Sequence, residues 1–370
     1  HTHAAMSLFR GLADDLPLMT WLNDHIFPAE AKLNADMVRI GTRLACAEMI
    51  CSGTTCFCDM YLFEEAVAEA AAECGVRAVV GEVLYDFPSP NYGPLSKGFE
   101  YVADMLARWA DHDLVRVAVE PHSPYLCEPL LLERAARLAM DHQALLVIHV
   151  SETESEVEQI REKYGTTPVG HLAELGLLGP NLVACHAVKL TEADIALLKA
   201  HDVKVSHNVE SNMKLASGVA PVPDLLAAGV CVGLGTDGCA SNNNLDLLAE
   251  MDMAAKLHKV HRMDPTVMNA GTVLRMATID AARVLGMERL IGSIEAGKLA
   301  DLIVVDTAKP HLTPMYDPVS HLVYAVKGSD VRHCIINGRV VMTDGHLTTV
   351  DIGQVITDAR RQAEVIAEND

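Results

Sequence analysis

Seven short apolar runs, each followed by an amphipathic stretch with helical spacing, constrain the fold of this chain more than any other feature. The runs are rich in β-branched residues and lie at residues 53–60, 76–84, 115–120, 145–150, 182–186, 203–207 and 230–235. Nearly continuous apolar strands that alternate with helices indicate a parallel sheet that is covered on both faces. An eighth strand before His1 would complete a (β/α)8 barrel.

A different pattern follows Gly238. Three helical stretches, at 244–261, 265–276 and 279–285, precede short strands at 301–306 and 333–342, and Asn337-Gly338 is a strong hairpin signal within the second. The sequence therefore predicts an α/β fold with a TIM barrel over residues 1–292, the C-terminal half of a small β-sandwich over 293–350, and a helix over 351–370. We expect the first barrel strand and the other sandwich half in a preceding segment of on the order of 50 residues.

Charge and composition exclude several classes of partner. The chain has 29 Lys and Arg against 50 Asp and Glu, a net charge of −21, which repels nucleic-acid phosphates and anionic lipid surfaces. No apolar run approaches the roughly 20 residues that a spanning helix needs. Ten cysteines without a framework spacing are typical of a reducing compartment. We expect a cytoplasmic protein that acts on a small molecule, with neither nucleic acid nor membrane as a partner.

Histidines and carboxylates follow most of the predicted strands, which is where barrel enzymes carry their chemistry. These residues are His1, His3, Glu120, His122, His149, Glu152, His186, His207 and Asp237. One such histidine would more often be structural, but this many indicate ligands for zinc or a similar divalent cation. His1 and His3 are two residues apart on an extended segment, so both side chains point the same way.

The pattern resembles the amidohydrolase superfamily, which has His-x-His after the first strand, a histidine after the fifth, another after the sixth, and an aspartate after the eighth. Binuclear members of that superfamily bridge their metals with a carboxylated lysine at the end of the fourth strand, where this chain has Glu120-Pro121-His122. The resemblance therefore implies a single divalent metal ion, with zinc as the first choice. It implies the ligands His1, His3, His149 and Asp237, and a role for His186 in hydrogen bonding the water nucleophile.

Residues 21–30, 120–125 and 235–244 are similar to the 5-methylthioadenosine/S-adenosylhomocysteine deaminase family. This resemblance implies a purine nucleoside substrate, hydrolysis of its 6-amino group, and a homo-oligomer. It also implies site roles: catalysis by Glu152, His186 and Asp237, and substrate binding by Glu30, His122, Glu152, Asp237, Trp21 and Ser241. In particular, Glu30 would bind the ribose hydroxyls and Glu152 would protonate a ring nitrogen.

Each assignment has a structural alternative. Glu30 could favour a helix N-terminus, Glu152 could cap the helix that begins near Thr153, and Trp21 could be a packing residue. Recognition of a homocysteine tail needs cations, and Lys97 and Arg108 lie in the right region without matching a motif. The sequence thus leaves the choice among methylthioadenosine, adenosylhomocysteine and adenosine open.

Two further functions remain as alternatives. One is another mononuclear amidohydrolase, namely a guanine, cytosine or pterin deaminase or an s-triazine chlorohydrolase. The other is a non-catalytic scaffold of the same fold. Glu30 distinguishes the first alternative, because a free base or a triazine has no ribose for a carboxylate to bind.

Overall fold

Two sets of parallel strands form the centre of the molecule. The computed structural model describes residues 1–16 and 20–367. The first set contains β1 (Cys56–Tyr61), β2 (Arg77–Leu84), β3 (Val115–Val117) and β4 (Glu120–Pro121), and the second contains β5 (Leu146–Val150), β6 (Leu182–His186), β7 (Lys204–His207) and β8 (Val232–Leu234). The strands β1, β2 and β3 pair in that order and β4 also pairs with β2, while β5 to β8 pair consecutively. A parallel bridge from Val119 to Leu146 joins the two sets.

The observed strands follow the predicted runs closely, with two differences. The strand predicted from residue 53 begins at Cys56, because Gly53 has φ +90° and ends the preceding helix, Ala35–Ser52. The run 115–120 divides into β3 and β4. Between them, the Ala118 N–H donates to Val80 and the Val119 N–H donates to Leu145, so this segment bonds to both of its neighbours.

Helices alternate with the strands as predicted and cover them. They are α1 (Phe27–Glu30), α2 (Ala35–Ser52), α3 (Glu64–Cys74), α4 (Leu95–Arg108), α5 (Pro129–Asp141), α6 (Glu154–Tyr164), α7 (Pro168–Glu174), α8 (Glu192–Ala200), α9 (Val209–Lys214), α10 (Val222–Ala228), α11 (Leu247–Arg262), α12 (Ala270–Ala277), α13 (Ile279–Val284), α14 (Pro318–Tyr324) and α15 (Ile352–Ala367). Within the described ranges, no helix has both the length and the apolar character required to span a membrane.

Two helices begin later than the sequence predicts, and side-chain caps explain both starts. The stretch predicted from 244 begins at Leu247, where the Asp246 carboxylate accepts the Leu248 N–H at 2.9 Å. The stretch predicted from 265 begins at Ala270, because Asn269 accepts the Thr272 N–H at 3.1 Å. Each cap satisfies a backbone donor that would otherwise lack a partner in the first helical turn.

A second, antiparallel sheet lies in the C-terminal part of the chain. Its strands are β9 (Leu302–Val305), β10 (Val331–Ile336), β11 (Arg339–Thr343) and β12 (His346–Leu347), in the order β12, β11, β10, β9. The predicted hairpin is present: Ile336 pairs with Arg339, and Asn337 and Gly338 between them have φ of +52° and +76°. The predicted domain boundaries and the sandwich stay predictions, and residues 368–370 of the predicted last helix lie outside the described residues.

The first three residues lie between β1 and β8. The Thr2 N–H donates to the Cys58 carbonyl at 2.8 Å, and the Asp237 N–H donates to the His1 carbonyl at 3.0 Å. His1 and His3 are thereby placed at the carboxyl ends of the strands, as the barrel prediction requires. The strand predicted before His1 stays a prediction.

Candidate metal centre and active site

Four histidines and one aspartate from widely separated parts of the chain meet at the carboxyl ends of the strands. The ligating atoms of His1, His3 and His149 all lie within 4.8 Å of one another, and so do those of His1, His186 and Asp237. The Asp237 Oδ1 atom is 3.1 Å from His3 Nε2 and 3.5 Å from His1 Nε2. The Nε2 atoms of His1 and His149 are 3.1 Å apart. The structure thus brings together every residue that the sequence predicts as a metal ligand.

Hydrogen bonds to the outer ring nitrogens orient three of these histidines. The Nδ1 atom of His3 is bonded to the Met60 carbonyl. His149 Nδ1 is 2.8 Å from the His122 carbonyl, and His186 Nδ1 is 2.9 Å from the Asn212 side-chain oxygen. A partner on Nδ1 fixes the tautomer and leaves Nε2 free to face the centre, as is usual for metal-binding histidines.

Asp237 is held in an unusual backbone conformation, with φ +60°. Its Oδ2 atom accepts hydrogen bonds from the Ser211 hydroxyl at 2.6 Å and from the Ser241 hydroxyl at 2.7 Å. Its Oδ1 atom faces His1 and His3. Non-glycine residues with positive φ cost free energy and are concentrated at functional sites. The two hydroxyls therefore fix which carboxylate oxygen is presented to the centre.

The donor set fits a divalent cation. Asp237 Oδ1 is buried and faces the Nε2 atoms of His1 and His3 rather than a hydroxyl, which leaves it available as a ligand. Burial lowers the pKa of His3, but the neighbouring Asp237 carboxylate outweighs burial and raises it to about 9. The centre therefore attracts positive charge. Burial and the neighbouring histidines hold the pKa of His149 well below its usual range, so its imidazole is neutral, as coordination requires.

Glu152 lies beside the centre, two residues after β5. Its Oε2 atom is 4.0 Å from His186 Nε2. The Glu156 carboxylate positions this turn by accepting the backbone N–H groups of Ser151 at 2.8 Å and Glu152 at 2.7 Å. Burial raises the pKa of Glu152, which favours a protonated acid. Thr153, rather than Glu152, caps the following helix.

Glu30 lines the same cavity. It ends a helical segment formed by Trp21–Ile26 and Phe27–Glu30, so it does not occupy a helix N-terminus. Burial raises the pKa of its carboxyl group to about 7, although Tyr61 and His3 act in the opposite direction. The group therefore titrates near neutrality.

Three more predicted substrate residues line this cavity together with Glu30, Glu152 and the predicted metal ligands His3, His149 and Asp237. Trp21 is buried and its indole N–H donates to the Ala13 carbonyl at 3.1 Å, so it also has a packing role. Burial lowers the pKa of His122 to about 3, so its ring is neutral. Ser241 also lines the cavity, and its hydroxyl is already bonded to Asp237.

Sequence reasoning missed the residues that orient the others, namely Ser211, Asn212 and Glu156. Ser211 and Asn212 follow β7 on α9, and Glu156 lies in the first turn of α6. The only sequence signal was that polar residues follow these strands as well. Nothing in the spacing indicates that Ser211 would contact a residue 26 positions away.

Comparison with known proteins agrees with this geometry. The model of the amidohydrolase family matches residues 1–341. The chain belongs to the amidohydrolase family. The superfamily resemblance predicted from the strand-end residues is therefore confirmed.

This amidohydrolase is also similar to proteins with more specific names. It is 62% identical to 5-methylthioadenosine/S-adenosylhomocysteine deaminase of Syntrophobacter fumaroxidans, over 99% of this chain and 84% of that protein. It is 49% identical to 5′-deoxyadenosine deaminase of Methanothermobacter thermautotrophicus, over 95% of this chain and 82% of that protein. The crystal structure of a zinc-bound adenosine deaminase from Xanthomonas campestris superimposes with a TM-score of 0.98 at 40% identity, over 100% of this chain and 84% of that one. Relatives that bear the deaminase family's name confirm the second resemblance as well.

Proposed function

We propose that this amidohydrolase is a zinc-dependent hydrolytic deaminase that converts the 6-amino group of adenine nucleosides to the oxo group and releases ammonia. The observation that carries the proposal is one cavity lined by three different groups. It holds the candidate metal ligands His3, His149 and Asp237, the acid Glu152 beside them, and the half-buried Glu30. The names of the relatives and the zinc in the Xanthomonas neighbour support the same function.

His1, His3, His149 and Asp237 would hold the metal ion. When bound, a zinc ion lowers the pKa of a coordinated water to about 7 and so supplies a strong nucleophile at neutral pH. The proposed role of His186 is to orient the attacking water through Nε2, because Asn212 occupies its other ring nitrogen. In this role His186 is not a metal ligand, as the superfamily resemblance implies.

The proton transfers belong to two carboxyl groups. Glu152 enters protonated, which its burial favours, and donates to N1 of the purine as water attacks C6. This transfer removes the negative charge that would otherwise develop on the ring. Asp237 accepts a proton from the attacking water and delivers it to the exocyclic amine, which leaves as ammonia. The proton that remains on the C6 hydroxyl passes to the Glu152 carboxylate as the oxo group forms, which restores the acid.

Glu30 and His122 orient the nucleoside. The Glu30 carboxylate is suited to accept hydrogen bonds from two vicinal ribose hydroxyls, and the neutral His122 ring can contact the nucleoside without adding charge. Trp21 and Ser241 complete the proposed binding surface. Holding C6 in place contributes to the rate by removing the entropy cost of alignment.

The deciding experiment offers the metal-replete protein a panel of adenosine, 5′-methylthioadenosine, adenine, guanine, cytosine and an s-triazine. We expect ammonia release from the adenine nucleosides and one zinc ion per chain by elemental analysis. Two tightly bound ions per chain would contradict the mononuclear assignment. Turnover of a free base or triazine without turnover of any adenine nucleoside would contradict the proposed function.

A further inference from the structure

An aromatic cluster stands next to Glu30 in the cavity. The rings of Tyr85 and Phe87 stack with centroids 3.8 Å apart and an interplanar angle of 12°. The Phe27 ring meets Phe87 edge-on at 6.5 Å. Phe27 precedes Glu30 by three residues on the same helical segment, about one turn. We call Phe27, Tyr85 and Phe87 the aromatic wall. All three line the cavity that holds the metal-binding residues.

The aromatic wall lies at the open end of this cavity. Phe87 is 40% exposed, whereas Tyr85 is 6% exposed. A large aromatic side chain on the surface of a cavity mouth presents an apolar face to whatever enters. Because Phe27 lies one turn before Glu30 on the same segment, the aromatic wall lies next to the group that is proposed to hold the sugar of a bound nucleoside.

No lysine or arginine is among the described residues that line the cavity. The two cations that the sequence offers for an amino-acid tail are engaged elsewhere. Lys97 is 61% exposed and bonds to Glu100 at 2.6 Å, and Arg108 is 63% exposed and bonds to Glu65 at 2.8 Å.

Lys214 is the cation next in sequence to a cavity residue, Leu215. Its ammonium group bonds to Asp14 at 2.5 Å and to the Ala240 carbonyl at 3.3 Å. The ionisable groups that do face the cavity are histidines, tyrosines and carboxyl groups. A ligand carboxylate in this space would therefore find no lining cation with which to form a charge-assisted hydrogen bond.

We propose that the aromatic wall receives the substituent on ribose C5′ and makes this enzyme selective for small, uncharged 5′ groups over an amino-acid tail. The inference rests on the proposed function, in which Glu30 holds the ribose hydroxyls. C5′ is two bonds from C3′, so a ribose held by Glu30 brings its 5′ substituent to Phe27 and Phe87. A methylthio group gains sulfur–aromatic contacts there. The preferred substrates are therefore 5′-deoxyadenosine and 5′-methylthioadenosine, and S-adenosylhomocysteine is a poor one.

The test compares kcat/KM for 5′-methylthioadenosine, 5′-deoxyadenosine, adenosine and S-adenosylhomocysteine on the wild-type enzyme. We expect the first two to exceed S-adenosylhomocysteine by about tenfold or more, since the charged tail finds no cation on the cavity lining whereas a small apolar group gains aromatic contact. Equal values for S-adenosylhomocysteine and 5′-methylthioadenosine would overturn this inference and leave the deaminase function standing. Absence of turnover with all four nucleosides would overturn both.

Variants at Phe87 test whether the 5′ substituent binds at the aromatic wall. F87R adds a cation at the exposed edge of the aromatic wall and should raise the ratio of S-adenosylhomocysteine to 5′-methylthioadenosine turnover by about tenfold. F87L keeps the site apolar and should leave that ratio low. L130R adds the same charge at a remote, 77% exposed position on α5 and controls for net charge. A ratio that is the same in F87R and L130R would overturn the assignment of the wall to the 5′ group.

Discussion

At the scale of single residues, this site depends on carboxyl groups whose surroundings differ. Asp237 is surrounded by two hydroxyls and by His3, and despite its burial the His3 interactions hold its pKa well below the usual range. Glu152 and Glu30 are half-buried, and their desolvation is compensated less, so their pKa values rise. One cavity thus contains a carboxylate that stays ionised and a carboxylic acid that can donate a proton, which is the division that general acid–base catalysis requires.

Glu152→Gln tests the proton donor. The amide keeps the size of the side chain but cannot supply the proton for N1, so kcat for adenine nucleosides should fall by about 10²–10⁴-fold. KM and the metal content should stay near their wild-type values. Glu154→Gln, at a 61% exposed position two residues along the chain, is the matched control and should leave kcat unchanged. Near-normal turnover by E152Q on every adenine nucleoside would show that the assignment is wrong.

Glu30→Ala tests ribose recognition. Loss of hydrogen bonds to a charged group costs about 1.5–3 kcal/mol, so KM for nucleosides should rise by roughly 10- to 100-fold. Any activity on free adenine should be unaffected, because adenine has no ribose. Asp24→Ala, at an exposed position on the same segment, serves as the control. If E30A raised the KM for adenine and the KM for nucleosides equally, the carboxylate would be acting on the base or on the fold instead.

At the scale of elements, the strands and hairpin were predictable because their signals are local. Apolar runs bounded by turn residues predicted β5 and β6 to within one residue, and Asn337-Gly338 predicted the turn between β10 and β11. The first residues of the helices were harder to predict, because Asp246 and Asn269 are not the only polar residues nearby that could cap a helix. The candidate metal ligands were predictable because histidines and a carboxylate at the strand ends resemble the pattern of the amidohydrolase superfamily. Ser211, Asn212 and Glu156 were not, because their roles depend on contacts between elements.

Glu82 of β2 shows how one element supports another. It is fully buried, and its Oε2 accepts the N–H of Glu64 at 2.9 Å at the start of α3. Burial raises its pKa from 4.5 to about 7. The folded state therefore binds more protons at this residue than the unfolded state between about pH 4.5 and 7. Stability is lost as the pH rises through that window, by about 3 kcal/mol for this shift.

Glu82→Gln should remove this pH dependence while its amide oxygen still accepts the Glu64 N–H. We expect the unfolding free energy of E82Q, relative to that of the wild type, to increase as the pH rises from 4.5 to 7 and to change little above pH 7. Denaturant titrations of both proteins at matched metal content measure the difference. Glu100→Gln, at a 62% exposed position, should show no pH-dependent difference from the wild type. A difference between E82Q and wild type that did not vary with pH would contradict the raised pKa.

At the scale of the whole molecule, a buried ion pair connects the parallel strands to the C-terminal sheet. Arg77 at the start of β2 donates to Asp301 just before β9, with N–O distances of 2.7 and 3.0 Å. Both side chains are at most 4% exposed. Asp301 also accepts the Asn337 N–H at 2.7 Å, so it organises the hairpin turn as well. The pair lies at the amino ends of the strands, opposite the metal centre.

Asp301→Ala should therefore destabilise the protein without altering its chemistry. It leaves the Arg77 guanidinium buried and unpaired, which costs about 3–5 kcal/mol, whereas replacing both partners by apolar residues costs much less. We expect a large loss of unfolding free energy in urea for D301A, and partial recovery in the double variant Arg77→Met with Asp301→Leu.

Asp224→Ala breaks the exposed pair with Arg262 and should cost under about 1 kcal/mol. The folded fraction of D301A should retain its kcat, since barrels separate stability at the amino ends of their strands from catalysis at the carboxyl ends. A D301A loss as small as that of D224A would mean that the two sheets are held together by apolar packing alone.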